Sequence, residues 1–92
     1  MHPVVSVTVG HFADAVPPRI VDNAELCATL DTDAGWIEER TGILSRRFLD
    51  SSLAASDLAL DAARETLRSS GSTAADVDAI VLATANPDQP FP

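Results

Sequence analysis

Residues 53–85, LAASDLALDAARETLRSSGSTAADVDAIVLATA, contain the strongest structural pattern of the chain. Residues 53–70 lack proline and glycine, are dense in alanine and leucine, and end at Gly71, which together predict a helix. The run AIVLATA at residues 79–85 is short, apolar and continuous, which is typical of a strand that is covered on both faces. A helix followed by a turn and a buried strand favours an α/β fold built around a layered sheet.

Two further elements are predicted near the start of the chain. Residues 3–9 are rich in valine and are followed by Gly10, a pattern that indicates a first strand leading into a turn. Asp22 stands three residues before Glu25, which is the spacing of a capping box, so a short helix is predicted over residues 22–30.

The middle of the chain predicts a second helix and an extended segment. We expect this helix to begin near Thr32, whose hydroxyl can cap free backbone N–H groups, and to end at Gly42, where glycine can adopt a left-handed conformation. Residues 43–49 follow as a strand or an extended connection that carries Arg46 and Arg47.

Composition limits the possible partners and location. The chain has 92 residues and a net charge of -8, with six arginines as its basic residues, so it repels nucleic acid and anionic membranes unless the arginines are concentrated at one place. No run is long enough to span a bilayer and the N-terminus does not resemble a secretory signal, so a cytoplasmic location is expected. Cys27 is the single cysteine, and His2 and His11 lack a ligand pattern, so no metal site is expected.

Thr32, Trp36 and Arg40 are spaced by four residues on the second predicted helix, so they are expected to form one stripe. At about 1.5 Å rise per residue the stripe spans roughly 12 Å, comparable to an adenosine with its adjacent phosphate. An indole can stack on a purine, a guanidinium can bind a phosphate, and a hydroxyl can bond a base edge. Taken alone, however, a single tryptophan is more often a packing residue and a single arginine a solvated one.

Five motifs make the chain resemble the N-terminal region of 3-oxoacyl-acyl-carrier-protein synthase III (ketoacyl synthase III). The most specific is the W-I-x-x-R-T-G-I pattern of residues 36–43. The resemblance implies that residues 1–92 are the N-terminal, incomplete portion of a thiolase-like domain with a layered αβαβα fold. The motifs are NAELCATLDTDA (23–34), GWIEERTGILSRRF (35–48), SDLALDAARETL (56–67), DVDAIVLATA (76–85) and PDQPFP (87–92).

The resemblance also implies roles for individual residues. In the family, the residues matching Trp36 and Arg40 sandwich the adenine of coenzyme A, and the residue matching Thr32 contacts the same group. Phe91 matches a phenylalanine that reaches across the homodimer to line the partner's acyl pocket. The family's nucleophilic cysteine, histidine and asparagine lie further along the chain than Pro92, so no catalytic residue is expected here. Cys27 is interpreted as a buried structural thiol.

The implied reaction is a condensation that initiates fatty acid or polyketide synthesis. An acyl group passes from acyl-coenzyme A to the enzyme and is then joined to a malonyl group on acyl carrier protein, with loss of carbon dioxide. Coenzyme A is a substrate in this scheme, and no cofactor is expected. Two alternatives stay open: a starter-unit acyltransferase of polyketide synthesis from the same superfamily, and a non-catalytic subunit that pairs with a catalytic chain.

Overall fold

The computed structural model describes residues 3–89 and has a small α/β arrangement of short helices and two antiparallel strands. Its elements are β1 (Arg19–Asp22), α1 (Asn23–Cys27), α2 (Ala34–Thr41), β2 (Ser45–Phe48), α3 (Ala55–Ser70) and a single 3₁₀ turn (Ala74–Asp76).

Strands β1 and β2 form an antiparallel pair in which Arg19 lies opposite Phe48 and Asp22 lies opposite Ser45. Strand β2 confirms the extended segment predicted over residues 43–49. Strand β1 was not predicted, because its four residues follow a Pro-Pro pair that favours an extended connection. The pairing matters for the site because α1 starts directly after β1, and α2 lies in the connection between α1 and β2.

Aspartate side chains start both short helices. Asp22 accepts a hydrogen bond from the backbone N–H of Glu25 at 2.8 Å, which confirms the predicted cap of α1. Asp33 accepts from the backbone N–H of Trp36 at 2.8 Å. The prediction that Thr32 caps α2 is therefore wrong, because the aspartate one residue later takes the extended conformation and the acceptor position of an N-cap.

Helix α3 confirms the predicted long helix, although it starts two residues later than expected. The carboxylate of Asp57 accepts a hydrogen bond from the backbone N–H of Ala54 at 2.7 Å, and Gly71 ends the helix at a φ of 73°. No residue of α3 is buried. Within residues 3–89, no helix combines the length and the apolar character that a membrane crossing requires.

Residues 3–9 and 79–85, both predicted as strands, form no strand in this structure. Their apolar side chains are exposed, to 95% at Val4 and 97% at Val81. The predictions are wrong here because a strand requires a neighbour for its backbone N–H and C=O groups, and the one sheet in the described part of the chain consists of β1 and β2. The radius of gyration of 18.9 Å, against about 12 Å for a compact domain of this length, reflects the same lack of packing.

A small core lies between the strand pair and the first two helices. Its buried hydrophobic residues are Val21 of β1, which is 1% exposed, and Ile37 of α2, which is 7% exposed. Asn23, the first residue of α1, is also buried. This core fixes α2 with one face inward and the opposite face in solvent.

Candidate functional site

The outward face of α2 brings together an aromatic ring and a cation. Trp36 is 51% exposed, and the guanidinium carbon of Arg40 lies 5.7 Å from the centroid of its ring. One helical turn separates the two residues, so their side chains lie on the same face, as the sequence spacing predicted. This distance is within the range of a cation–π interaction. The face therefore offers a flat apolar surface beside an exposed positive charge.

Thr32 does not share this helical face. It is half-buried and lies in the bend before Asp33, with its backbone N–H donating to the carbonyl of Leu30 at 2.9 Å. The prediction of a three-residue helical stripe is therefore wrong at Thr32, because α2 starts at Ala34 rather than near Thr32. The structure brings Trp36 and Arg40 together and places Thr32 on the segment that leads into their helix.

The end of α2 is tightly specified by local bonds. The hydroxyl of Thr41 donates to the carbonyl of Ile37 at 2.7 Å and accepts from the backbone N–H of Ile43 at 3.0 Å. Gly42 lies between them at a φ of 69°, a conformation that glycine adopts readily and other residues rarely do. The chain thus turns sharply only two residues after Arg40.

A buried polar cluster next to this turn was missed by the sequence analysis. The side-chain amide of Asn23 donates to the carbonyl of Ile43 at 2.7 Å, and its oxygen accepts from the guanidinium of Arg46. Arg46 also donates to the carbonyl of Val21 at 3.2 Å. The available signal was an asparagine directly after a helix cap together with an arginine in an extended segment, a pattern too common to distinguish from a solvated pair.

The charges around α2 leave Arg40 available. The ion pairs of residues 3–89 join Arg19 to Glu25 and Arg68 to Glu65, so Arg40 has no carboxylate partner in that range. The guanidinium lies in the last turn of α2, where the helix dipole favours a positive charge. An anionic group that approaches the face meets a cation that is not already neutralised by a bonded carboxylate.

The resolved pKa shifts lie away from this face and have local causes. Hydrogen bonds from the Ser52 backbone N–H and hydroxyl lower the pKa of Asp50. A hydrogen bond from Arg68 lowers the pKa of Glu65, and the same contact raises the pKa of Arg68. These exposed groups form capping and surface contacts, and none of them belongs to a site with acid–base chemistry.

The remaining candidates give no second site. Phe91, assigned by resemblance to an acyl pocket and a dimer interface, lies outside the described residues. Cys27 is half-buried on α1. Within residues 3–89 there is no group of three or more His, Cys, Asp or Glu side chains placed to hold a metal ion.

The sequence is similar to several proteins named beta-ketoacyl-[acyl-carrier-protein] synthase III. It is 52% identical over 77 residues to the one from Rhodospirillum rubrum, which covers 84% of this chain and 24% of that protein. It is 48% identical over 88 residues to that of Ruegeria sp. strain TM1040, covering 96% of this chain and 26% of the relative. The chain belongs to the beta-ketoacyl-[acyl-carrier-protein] synthase III family. The resemblance drawn from the W-I-x-x-R-T-G-I pattern is thereby confirmed.

The match to synthase III spans nearly all of this chain but only part of its relatives. The relative from Staphylococcus haemolyticus is 39% identical over 88 residues, which are 96% of this chain and 28% of that protein. The chain thus spans about a quarter of the length of the curated relatives it matches. No family model matches it.

Proposed function

We propose that the protein containing this chain is a synthase III that condenses an acyl group from acyl-coenzyme A with malonyl-acyl carrier protein. The observation that carries the proposal is the pairing of Trp36 and Arg40 on one exposed face of α2, within a chain of this family. A ring beside a cation that has no carboxylate partner among residues 3–89 suits an adenine nucleotide, which presents a flat base and phosphates. This face is the part of the coenzyme A site that the chain supplies.

In this proposal the Trp36 indole stacks on the adenine and the Arg40 guanidinium covers its other side or pairs with a phosphate. A base between two flat groups needs two van der Waals layers, about 7 to 8 Å in total. The guanidinium carbon lies 5.7 Å from the ring centroid, so Arg40 moves outward by about 2 Å to admit the base. Its unbranched, solvent-facing side chain allows that motion. The hydroxyl of Thr32 adds a polar contact from the segment before α2.

The covalent steps are assigned to residues that the family resemblance places after Pro92. A cysteine thiolate attacks the acyl carbonyl carbon, the thioester bond to coenzyme A breaks, and coenzyme A leaves as a thiolate. Loss of carbon dioxide from the malonyl group then gives a carbanion that attacks the acyl-enzyme and releases the cysteine. Cys27 has no part in this scheme. The proposed partners are acyl-coenzyme A, acyl carrier protein and a second copy of the protein, with Phe91 near the dimer interface, in the cytoplasm.

The test is an assay of the full-length protein with acetyl-coenzyme A and carboxyl-labelled malonyl-acyl carrier protein. It measures the amounts of coenzyme A and labelled carbon dioxide released. The proposal predicts that coenzyme A and labelled carbon dioxide are released in equal amounts as 3-oxoacyl-carrier protein forms. Release of coenzyme A with transfer of the acyl group but without carbon dioxide would instead identify a starter-unit acyltransferase. Turnover that requires a second, different polypeptide would identify a non-catalytic subunit.

A further inference from the structure

Asn23 is a buried residue that forms hydrogen bonds with three residues of the segment after α2. It is 6% exposed, and its backbone N–H donates to the carbonyl of Leu44 at 3.2 Å. Its side chain donates to Ile43 and accepts from Arg46, as described above. The amide nitrogen and the amide oxygen of Asn23 are therefore both bonded to the segment that follows α2.

These bonds act on the segment that follows the C-terminal end of α2, which is the end that carries Arg40. Arg40 lies three residues before Ile43, and the turn at Gly42 between them is short and conformationally defined. The inward side of α2 packs through Ile37, its one buried residue. The Asn23 side chain adds a second, directional restraint, because its hydrogen bond to Ile43 ties the segment after α2 to the first residue of α1.

Arg46 determines which way the side-chain amide of Asn23 points. Its guanidinium donates to both the Asn23 side-chain oxygen and the Val21 carbonyl, so the amide of Asn23 is oriented with its nitrogen towards Ile43. A buried amide without these partners would lose the hydrogen bonds that compensate its burial. The cluster therefore has one arrangement in which all of its polar groups are satisfied.

We propose that Asn23, oriented by Arg46, is a positioning residue that sets the placement of Trp36 and Arg40 for coenzyme A. The inference rests on the proposed function of that face. Asn23 does not contact the ligand in this account. It acts through the backbone that follows α2, so its loss weakens coenzyme A binding while the protein stays folded.

The primary experiment measures coenzyme A affinity by titration calorimetry on the full-length protein. Asn23→Ala is expected to weaken binding about tenfold, since one buried hydrogen-bonding group is worth that order. Asp57→Ala is the control for lost stability: it removes the cap bond to Ala54 on α3, away from α2, and is expected to leave affinity unchanged. Should Asn23→Ala not fold, Asn23→Asp keeps the acceptor for Arg46 and replaces the donor to Ile43 by a carboxylate oxygen that repels the Ile43 carbonyl, and it is expected to weaken binding in the same direction.

A double-mutant cycle separates positioning from a purely structural effect. In a Trp36→Ala/Arg40→Ala background, Asn23→Ala is expected to change coenzyme A affinity less than about twofold, because the contacts that it positions are gone. Additive losses in that background, or unchanged affinity in Asn23→Ala alone, would overturn the inference while leaving the proposed site standing. If the Trp36→Ala/Arg40→Ala protein binds coenzyme A as well as the parent does, the proposed site itself is wrong and the inference fails with it.

Discussion

Residues 17–48 and residues 55–89 carry apolar side chains in similar density, but only the first region buries large ones. In the first region, Val21 and Ile37 are buried and side chains hydrogen-bond to backbone groups 20 or more residues away. In the second, α3 buries no residue and Val81 is 97% exposed. In the first region, strands β1 and β2 form backbone hydrogen bonds with each other. The second presents a helix without a buried residue and an apolar run that is exposed.

The comparison shows that the proposed coenzyme A face, the exposed side of α2 with Trp36 and Arg40, belongs to the region that finds its bonding partners within residues 17–48. Its helix is capped at both ends, packs through Ile37 and is tied by Asn23 to the strand pair. The apolar residues 79–85, by contrast, pair with no strand within residues 3–89. We expect the remainder of a layered thiolase-like sheet to cover them.

Hydrogen exchange provides the largest expected difference between the two regions. In the 92-residue chain, amides of residues 79–85 should exchange at nearly unfolded rates, because no backbone partner protects them. In the full-length protein we expect the same amides to be protected about 1000-fold or more, because strand pairing in the proposed layered sheet would let them open only with extensive unfolding. Amides of the β1–β2 pair serve as the internal reference in both samples. Strong protection of 79–85 in the short chain would contradict the comparison.

A smaller effect is expected from the glycine that ends α2. Gly42→Ala should lower the free energy of unfolding of the full-length protein by about 1 to 2 kcal/mol, because a φ of 69° places an alanine side chain against its own backbone. No neighbouring atom within 4 Å would touch the new methyl group, so the cost is purely conformational. Gly10→Ala, also in open space but without a positive φ, is the control and should change stability by less than about 0.5 kcal/mol. Urea denaturation measures both; equal effects would remove the special role of Gly42.

The smallest expected effect is a titration shift on α3. A hydrogen bond from Arg68 holds the pKa of Glu65 below its ordinary value, so the contact stabilises the fold at neutral pH and this contribution is lost as pH falls through that lowered pKa. Arg68→Gln should return the pKa of Glu65 to its ordinary value, whereas Arg64→Gln should leave it lowered. Carboxyl NMR titration checks this. A Glu65 pKa that is insensitive to Arg68→Gln would show that the contact does not form in solution.

Local rules predicted the parts of the fold that depend on neighbouring residues. The Asp22 cap, the Gly42 stop and the long helix up to Gly71 follow from side-chain hydrogen bonds and backbone preferences that the sequence displays directly. Thr32 was misassigned as a cap because Asp33 competes for the same backbone N–H groups with a better acceptor. Strand β1 was missed because its pairing with β2 depends on a residue pairing across more than 20 positions.

The same distinction between local and long-range interactions applies to the candidate site. The shared face of Trp36 and Arg40 was predictable, since helical spacing alone brings such side chains together. The supporting bonds of Asn23 were not, because they join α1 to residues 43 and 46 through a fold that had to be known first. The exposure of residues 79–85 was not predictable from their apolar pattern either, because it depends on which strand partners the rest of the fold supplies.

The most direct test of the central claim, that Trp36 binds the adenine end of coenzyme A, compares two acyl donors in the full-length protein. Acetyl-coenzyme A carries the nucleotide, and acetyl-pantetheine carries the same thioester without it. Trp36→Ala should lower kcat/KM for acetyl-coenzyme A about tenfold through the lost stacking contact and leave kcat/KM for acetyl-pantetheine unchanged. Thr29→Ala, an exposed change at the end of α1, is the control and should affect neither donor. Equal losses with both donors, or no loss with acetyl-coenzyme A, would contradict the account.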